Sequence, residues 1–145
     1  MINKTGSAKW TGDLQSGKGH VSTESGALND QPYGFNTRFE GQAGTNPEEL
    51  IGASHASCFS MALSMILGQH DATPDMIETT ATVSMDKEGE GFAVKKIHLD
   101  VTGKVPGIDE ATFMEAAQAA KDNCPISKLL MGGSAEITMD AKFTS

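Results

Sequence analysis

From Leu50 to His70 the chain carries no charged side chain, and this run limits the possible folds more than any other feature. It follows Asn46-Pro47-Glu48-Glu49, a strong helix-start signal. Asn46 can cap, Pro47 suits the first helical position, and Glu49 stands where it can complete a capping box. Both glutamates lie at the positive end of the helix dipole. Apolar or small residues then fall on every face up to Leu67, so the sequence predicts a helix over 46–67, ending near Gly68 and buried all round. Its length approaches that of a membrane span. Ser54, His55, Ser57, Ser60 and Ser64 make it too polar for that role, and no positive charge flanks it. The expectation is a core helix with one thiol, Cys58, at its middle.

A chain of 145 residues is one ordinary domain, 1–145, long enough to bury a real core. Eleven basic against 19 acidic residues argue against non-specific binding to nucleic acid or an anionic membrane. Met1-Ile2-Asn3-Lys4-Thr5-Gly6 has no apolar signal-peptide core, which makes the cytoplasm the expected location. Two cysteines in that compartment are poor candidates for a permanent staple. A transient redox pair, a metal site or two inert thiols all remain open.

Along the chain, residues 1–10 and 19–26 are expected to form a hairpin about the turn-rich segment 12–17. Gln31-Pro32-Tyr33-Gly34 reads as a turn, and the alternation of 35–40 as a strand with Phe35, Thr37 and Phe39 on one face. Segments 78–86 and 92–102 form a second hairpin. Apolar positions in the latter switch from even (Phe92, Val94) to odd (Ile97, Leu99, Val101), which predicts a bulge near Lys95-Lys96. Asp109 to Thr112 caps a helix running to about Asp122. Cys124-Pro125 breaks it, 126–131 is a further short helix stopped by Gly132-Gly133, and 135–143 alternates as a final strand. Hairpins with helices between them make an α+β fold, a mainly antiparallel sheet wrapped about the central helix. A helix without a polar face is hard to cover in so small a monomer, and a homodimer is expected to bury its open side.

Cys58 is the first candidate for chemistry. His55 lies three residues before it on the same helical face, and Cys124 has a defined place before a proline. Cys58 is about three turns into its helix, where the dipole no longer helps a thiolate. A nearby cation must then stabilise the anion, and Arg38, the one arginine, is the natural choice. Its alternative use is an ordinary surface charge. A buried arginine needs a carboxylate, and Glu48 is free to serve, although ten residues of helix put it about 15 Å from Cys58 along the axis. An antiparallel pair of core helices across a dimer axis would bring Glu48 of one chain toward Cys58 of the other. His55 and Cys58 could also be a metal pair or a thiolate–imidazole hydrolase pair. No further ligands and no oxyanion hole are marked, so a packed, hydrogen-bonded histidine is the favoured reading of His55.

The stretches Val21-Ser22-Thr23-Glu24-Ser25-Gly26, Gln31 to Gly41, the Asn46 to Leu67 helix and Asn123-Cys124-Pro125 resemble the OsmC/Ohr family, its osmotically inducible protein C branch in particular. That resemblance covers essentially the whole chain. It implies an intertwined homodimer with sites at the subunit interface. It further implies a peroxiredoxin-type, thiol-dependent peroxidase that reduces organic hydroperoxides and protects against oxidative stress. By position, Cys58 matches the peroxidatic cysteine, Cys124 the resolving one, Arg38 the activating arginine and Glu48 its partner. The expected cycle runs through a Cys58 sulfenic acid and a Cys58–Cys124 disulfide that an external thiol reduces, with lipoylated proteins the reductant the resemblance suggests. No metal, haem or flavin is expected. Apolar neighbours such as Phe35, Phe39, Leu50, Ile51 and Met61 would favour alkyl or lipid hydroperoxides. The competing readings are a non-catalytic binder of small hydrophobic or lipid ligands in an apolar dimer groove, and a cysteine–histidine hydrolase.

Overall fold

Chain contacts divide the computed structural model, which describes residues 1–145, into two compact units, Met1–Leu50 and Ile51–Ser145. In the first unit, strands β1 (Gly6–Thr11) and β2 (Lys18–Thr23) form the expected hairpin, paired from Gly6↔Thr23 to Thr11↔Lys18. Asp13 closes its turn by accepting hydrogen bonds from the Gln15 and Ser16 amides at 3.0 and 2.9 Å. The expected turn at 31–34 is instead strand β3 (Gln31–Tyr33), antiparallel to β2. Pro32 is tolerated because β3 is an edge strand.

The expected strand over 35–40 is also corrected: Phe35–Phe39 is a short helix, α1. Phe35 and Phe39, four residues apart, share a face in a strand and in a helix alike, so their spacing does not discriminate. Here their rings pack with centroids 4.8 Å apart. Thr37 decides the matter. It accepts from the Gly34 amide at 3.0 Å and donates its hydroxyl to the Gly34 carbonyl at 3.0 Å. A side-chain bond of this kind stabilises a first helical turn where a strand would leave it unmade.

Helix α2 (Pro47–Gly68) starts and stops where the sequence places it, with Asn46 Oδ1 accepting from the Glu49 amide at 2.8 Å. Its burial differs from expectation. Only Gly52, His55, Phe59, Leu63 and Leu67 are buried, a stripe at helical spacing. The opposite face, with Ser54, Ser57 and Ser64, is exposed within one chain, and Met61 and Met65 keep 75% and 64% of their surface. The small residues that put no charge on this face also give the single chain little to cover it with. By length and composition alone α2 could cross a membrane, but its buried stripe packs in the chain's own core.

In the second unit, β4 (Met76–Glu88) and β5 (Gly91–Lys104) form the long hairpin. Ser84 pairs with Lys96 and Met85 with Val94, so Lys95 is the bulged residue, as the switch of apolar positions predicts. Helix α3 (Glu110–Asn123), capped by Asp109 Oδ1 on the Thr112 amide, and helix α4 (Pro125–Met131) carry the chain back to β6 (Glu136–Thr144). This crossover lets β6 run parallel to β5. Three of the four strand pairings are antiparallel, which bears out the α+β class. Phe59, Leu63 and Leu67 of α2 meet Leu99, Val101 and Val105 and the Phe113–Ala120 face of α3 in one core. Gly103 belongs to this packing: a Cβ there would stand 2.4 Å from the Phe113 ring.

Candidate active site

Two pairs of candidate residues come together, each within its own unit. In Ile51–Ser145, α2 presents Cys58 with part of its surface open, and Cys124 lies beside it almost wholly buried. Cys124 joins α3 to α4. Its amide bonds the Ala120 carbonyl at 2.9 Å, and its sulfur accepts from the Ser127 amide at 3.3 Å, in the cap position before Pro125. Both cysteines are reduced, and Cys58 packs against the buried cluster that holds Cys124.

Burial pushes the Cys58 thiol above its ordinary range, and the Cys124 thiol adds to the shift. A hydrogen bond from the Ile126 amide works the other way without reversing it. Cys58 is thus held neutral by its own surroundings at ordinary pH. If a thiolate is to form near neutral pH, a cation must be supplied to it.

His55 is a fully buried side chain, as the favoured reading required, and its partner is one the sequence did not single out. Its Nε2 lies 2.7 Å from Ser127 Oγ, and Ser127, equally buried, accepts from the Cys124 thiol at 3.0 Å. His55 Nδ1 is buried with no hydrogen-bond partner. Burial lowers the affinity of this imidazole for a second proton. The spacing Cys124-Pro125-Ile126-Ser127, cap to third helical residue, is the signal that could have found Ser127.

In Met1–Leu50, α1 carries Arg38 and the first turn of α2 carries Glu48. Arg38 Nε lies 3.1 Å from both Glu48 carboxylate oxygens and Nη2 lies 2.7 Å from Oε1, a forked ion pair. Asn46 ties the two helices by donating from Nδ2 to the Thr37 carbonyl at 3.3 Å. The guanidinium also stands 5.2 Å from the centre of the Phe39 ring. Beside it is a cavity of about 300 Å³ lined by Trp10, Leu14, Tyr33, Phe35, Arg38 and Phe39. Phe35 and Phe39 were expected in apolar surroundings of the site; Trp10, Leu14 and Tyr33 were not.

One further group could hold a cation. His98 Nε2 is 3.1 Å from Asp140 and 3.5 Å from Asp100, which face each other across β5 and β6. Both carboxylates are well exposed, and His98 Nδ1 is engaged by Thr138 Oγ1 at 2.6 Å.

The site thus combines a helix-borne cysteine packed against the cluster of a second, buried cysteine with a separate arginine–carboxylate fork. Peroxiredoxin OsmC of Escherichia coli (strain K12) is 60% identical over 144 residues, 99% of each chain. Organic hydroperoxide resistance protein OhrB of Bacillus subtilis (strain 168) is 32% identical over 115 residues, 79% of this chain and 82% of that one. The crystal structure of OhrB from Bacillus subtilis superposes with a TM-score of 0.70 at 28% identity, covering 95% of this chain and 98% of that one. The pattern of the OsmC-like protein family matches residues 39–140, from the end of α1 into β6. With the core helix, both cysteines and Glu48 inside that match, and near-complete alignment to a relative, this chain belongs to the OsmC-like family.

Proposed function

We propose that this chain is a thiol-dependent peroxidase that reduces organic hydroperoxides to alcohols. The observation that carries the reading is a half-buried, reduced cysteine packed against the core cluster that holds a second, buried one. Cys58, as thiolate, attacks one peroxide oxygen. The O–O bond breaks, the alkoxide leaves and takes a proton to give the alcohol, and Cys58 is left as a sulfenic acid. Cys124 then attacks the Cys58 sulfur, water departs, and a Cys58–Cys124 disulfide forms. Two electrons from an external thiol restore both thiols.

Arg38 is assigned the missing positive charge. Its guanidinium favours the thiolate and stabilises charge growing on the peroxide oxygens, while Glu48 fixes its orientation. The aromatic cavity beside Arg38 suits an apolar alkyl group. Residues 1–145 act as one OsmC-like domain in a cytoplasmic homodimer. The exposed Met61 and Met65 face of α2 is the surface the dimer would cover, and Arg38 serves Cys58 of its own chain or of the partner. The external reductant is a dithiol of the lipoyl class, and the cellular role is protection against oxidative stress.

Titration of the reduced protein with cumene hydroperoxide tests this reading against a non-catalytic binder of apolar ligands. The expected result is loss of both free thiols with an intrachain Cys58–Cys124 link in the peptide map. Thiols that persist through the titration would favour the binder. Cys124→Ser should permit one oxidation of Cys58 and then stall or over-oxidise.

A further inference from the structure

The resolving step needs a proton acceptor. Cys124 is nearly sealed from water, so its thiol proton cannot simply be lost to bulk solvent. The one hydroxyl that its thiol meets, Ser127 Oγ, is itself fully buried and meets His55 Nε2. The three groups can pass a proton along in one arrangement of their hydrogens. A hydroxyl that accepts from the Cys124 thiol still has its own hydrogen to donate, and His55 Nε2 stands 2.7 Å away to receive it. The neutral tautomer of His55 then carries its hydrogen on Nδ1, the buried nitrogen with no partner. A structural histidine in a core normally has both nitrogens satisfied. One nitrogen left without a partner while the other faces a serine–cysteine chain is the mark of a group retained for what it can accept.

We propose that Ser127 and His55 form a buried proton relay serving Cys124 during disulfide formation. As the Cys124 sulfur attacks the Cys58 sulfenic acid, the new S–S bond forms and the Cys58 S–O bond breaks. The Cys124 sulfur supplies the electron pair of the new bond and is oxidised to the disulfide level, the Cys58 sulfur is reduced to it, and the S–O pair leaves with the hydroxide. The Cys124 proton moves to Ser127 Oγ while the Ser127 proton moves to His55 Nε2. Hydroxide leaves Cys58 and takes a proton from water, and the imidazolium later returns one, so the net product is a single water. Burial keeps the resting imidazole neutral, so that Nε2 has a lone pair to offer, and makes the imidazolium a transient species that gives its proton up readily. The Ser127 amide, bonded to the same sulfur, stabilises the charge that develops as the thiol proton departs. The relay rests on the reading of Cys58 and Cys124 as a peroxidatic and resolving pair.

Rapid mixing of the full chain with one equivalent of cumene hydroperoxide separates the two steps. Dimedone trapping followed by mass spectrometry counts the sulfenic acid, and non-reducing peptide mapping counts the disulfide. In Ser127→Ala, sulfenic acid should form normally and the disulfide about a hundredfold more slowly, the scale of a lost general base. Ser127→Thr, which keeps the hydroxyl, should recover most of the rate, and His55→Gln, which cannot accept a proton, should behave like Ser127→Ala. Absence of sulfenic acid in the unaltered chain would overturn the peroxidatic reading itself. Normal sulfenic acid with an unslowed disulfide step in Ser127→Ala would overturn the relay alone. So would equal slowing in the alanine and threonine variants, which marks packing, or an unslowed His55→Gln, which leaves Ser127 only to orient the thiol.

Discussion

The two compact units handle polarity in opposite ways. In 1–50 the reactive candidates are full charges left near water: Arg38 keeps 38% of its side-chain surface and Glu48 14%. In 51–145 they are neutral groups without solvent, Cys124, Ser127 and His55, with Cys58 at the margin. An ion pair this exposed contributes about 0–1 kcal/mol to stability, so a forked geometry braced by Asn46 and Phe39 is poorly explained by folding alone. A buried, neutral hydrogen-bonded chain does support folding, while burial raises the Cys58 thiol. The charge lies in residues 1–50 and the sulfur in 51–145, and each can be removed separately.

The sharpest way to break that division is to remove the sulfur. Cys58→Ser should abolish hydroperoxide turnover while leaving the Arg38–Glu48 pair as it is, measured with cumene hydroperoxide and a dithiol reductant. Residual turnover in this variant would move the chemistry elsewhere. Next in size is removal of the charge. Arg38→Ala should lower turnover roughly 10²–10³-fold, the scale of one lost electrostatic stabiliser. It should also raise the Cys58 pKa, read from the pH dependence of alkylation by a neutral reagent. An unchanged alkylation profile would remove Arg38 as the source of the activating charge.

A third test belongs to the buried side. Because burial depresses the His55 pKa below its ordinary value of 6.5, the unfolded chain binds a proton there that the folded chain refuses. Stability from this group is complete above pH 6.5 and is lost as pH falls through the folded value, at most about 1.4 kcal/mol per pH unit. The ordinary carboxylate value of 4.5 lies below that window. Urea unfolding across it should show the slope, and His55→Gln should flatten it.

What the sequence disclosed follows the strength of local signals. Asn46-Pro47, Asp109 and Cys124-Pro125 mark helix ends through caps whose chemistry is local, and each stands in the structure as a boundary. The bulge at Lys95 was legible because a pleat of period two cannot shift its apolar positions any other way. Segment 35–39 was not legible, since Phe35 and Phe39 satisfy both periods and only the Thr37–Gly34 bonds choose between them. The outward face of α2 misled for a different reason: absence of charge records what a surface lacks and not what covers it. At the site, Cys58, Cys124, Arg38 and Glu48 stand out by residue type. Ser127 does not, because a serine acquires meaning only from the two buried atoms it joins, one of them 72 residues away.

The smallest expected effect bears on how the exposed pair is held. Asn46 makes two bonds of different kinds: Oδ1 caps α2 on the Glu49 amide, and Nδ2 reaches back to the Thr37 carbonyl of α1. Asn46→Ala removes both and should cost about 1 kcal/mol, the usual value of a lost cap, in urea unfolding. Asn46→Asp keeps the cap oxygen and places a second negative charge at the helix start, where the dipole favours it. It loses only the donor to α1, so stability should stay within about 0.5 kcal/mol of the original. If the tie to α1 serves the Arg38–Glu48 fork, turnover should nonetheless fall in both variants. A fall confined to Asn46→Ala would make the cap the only contribution of Asn46 and would leave Phe39 and Glu48 to hold the guanidinium unaided.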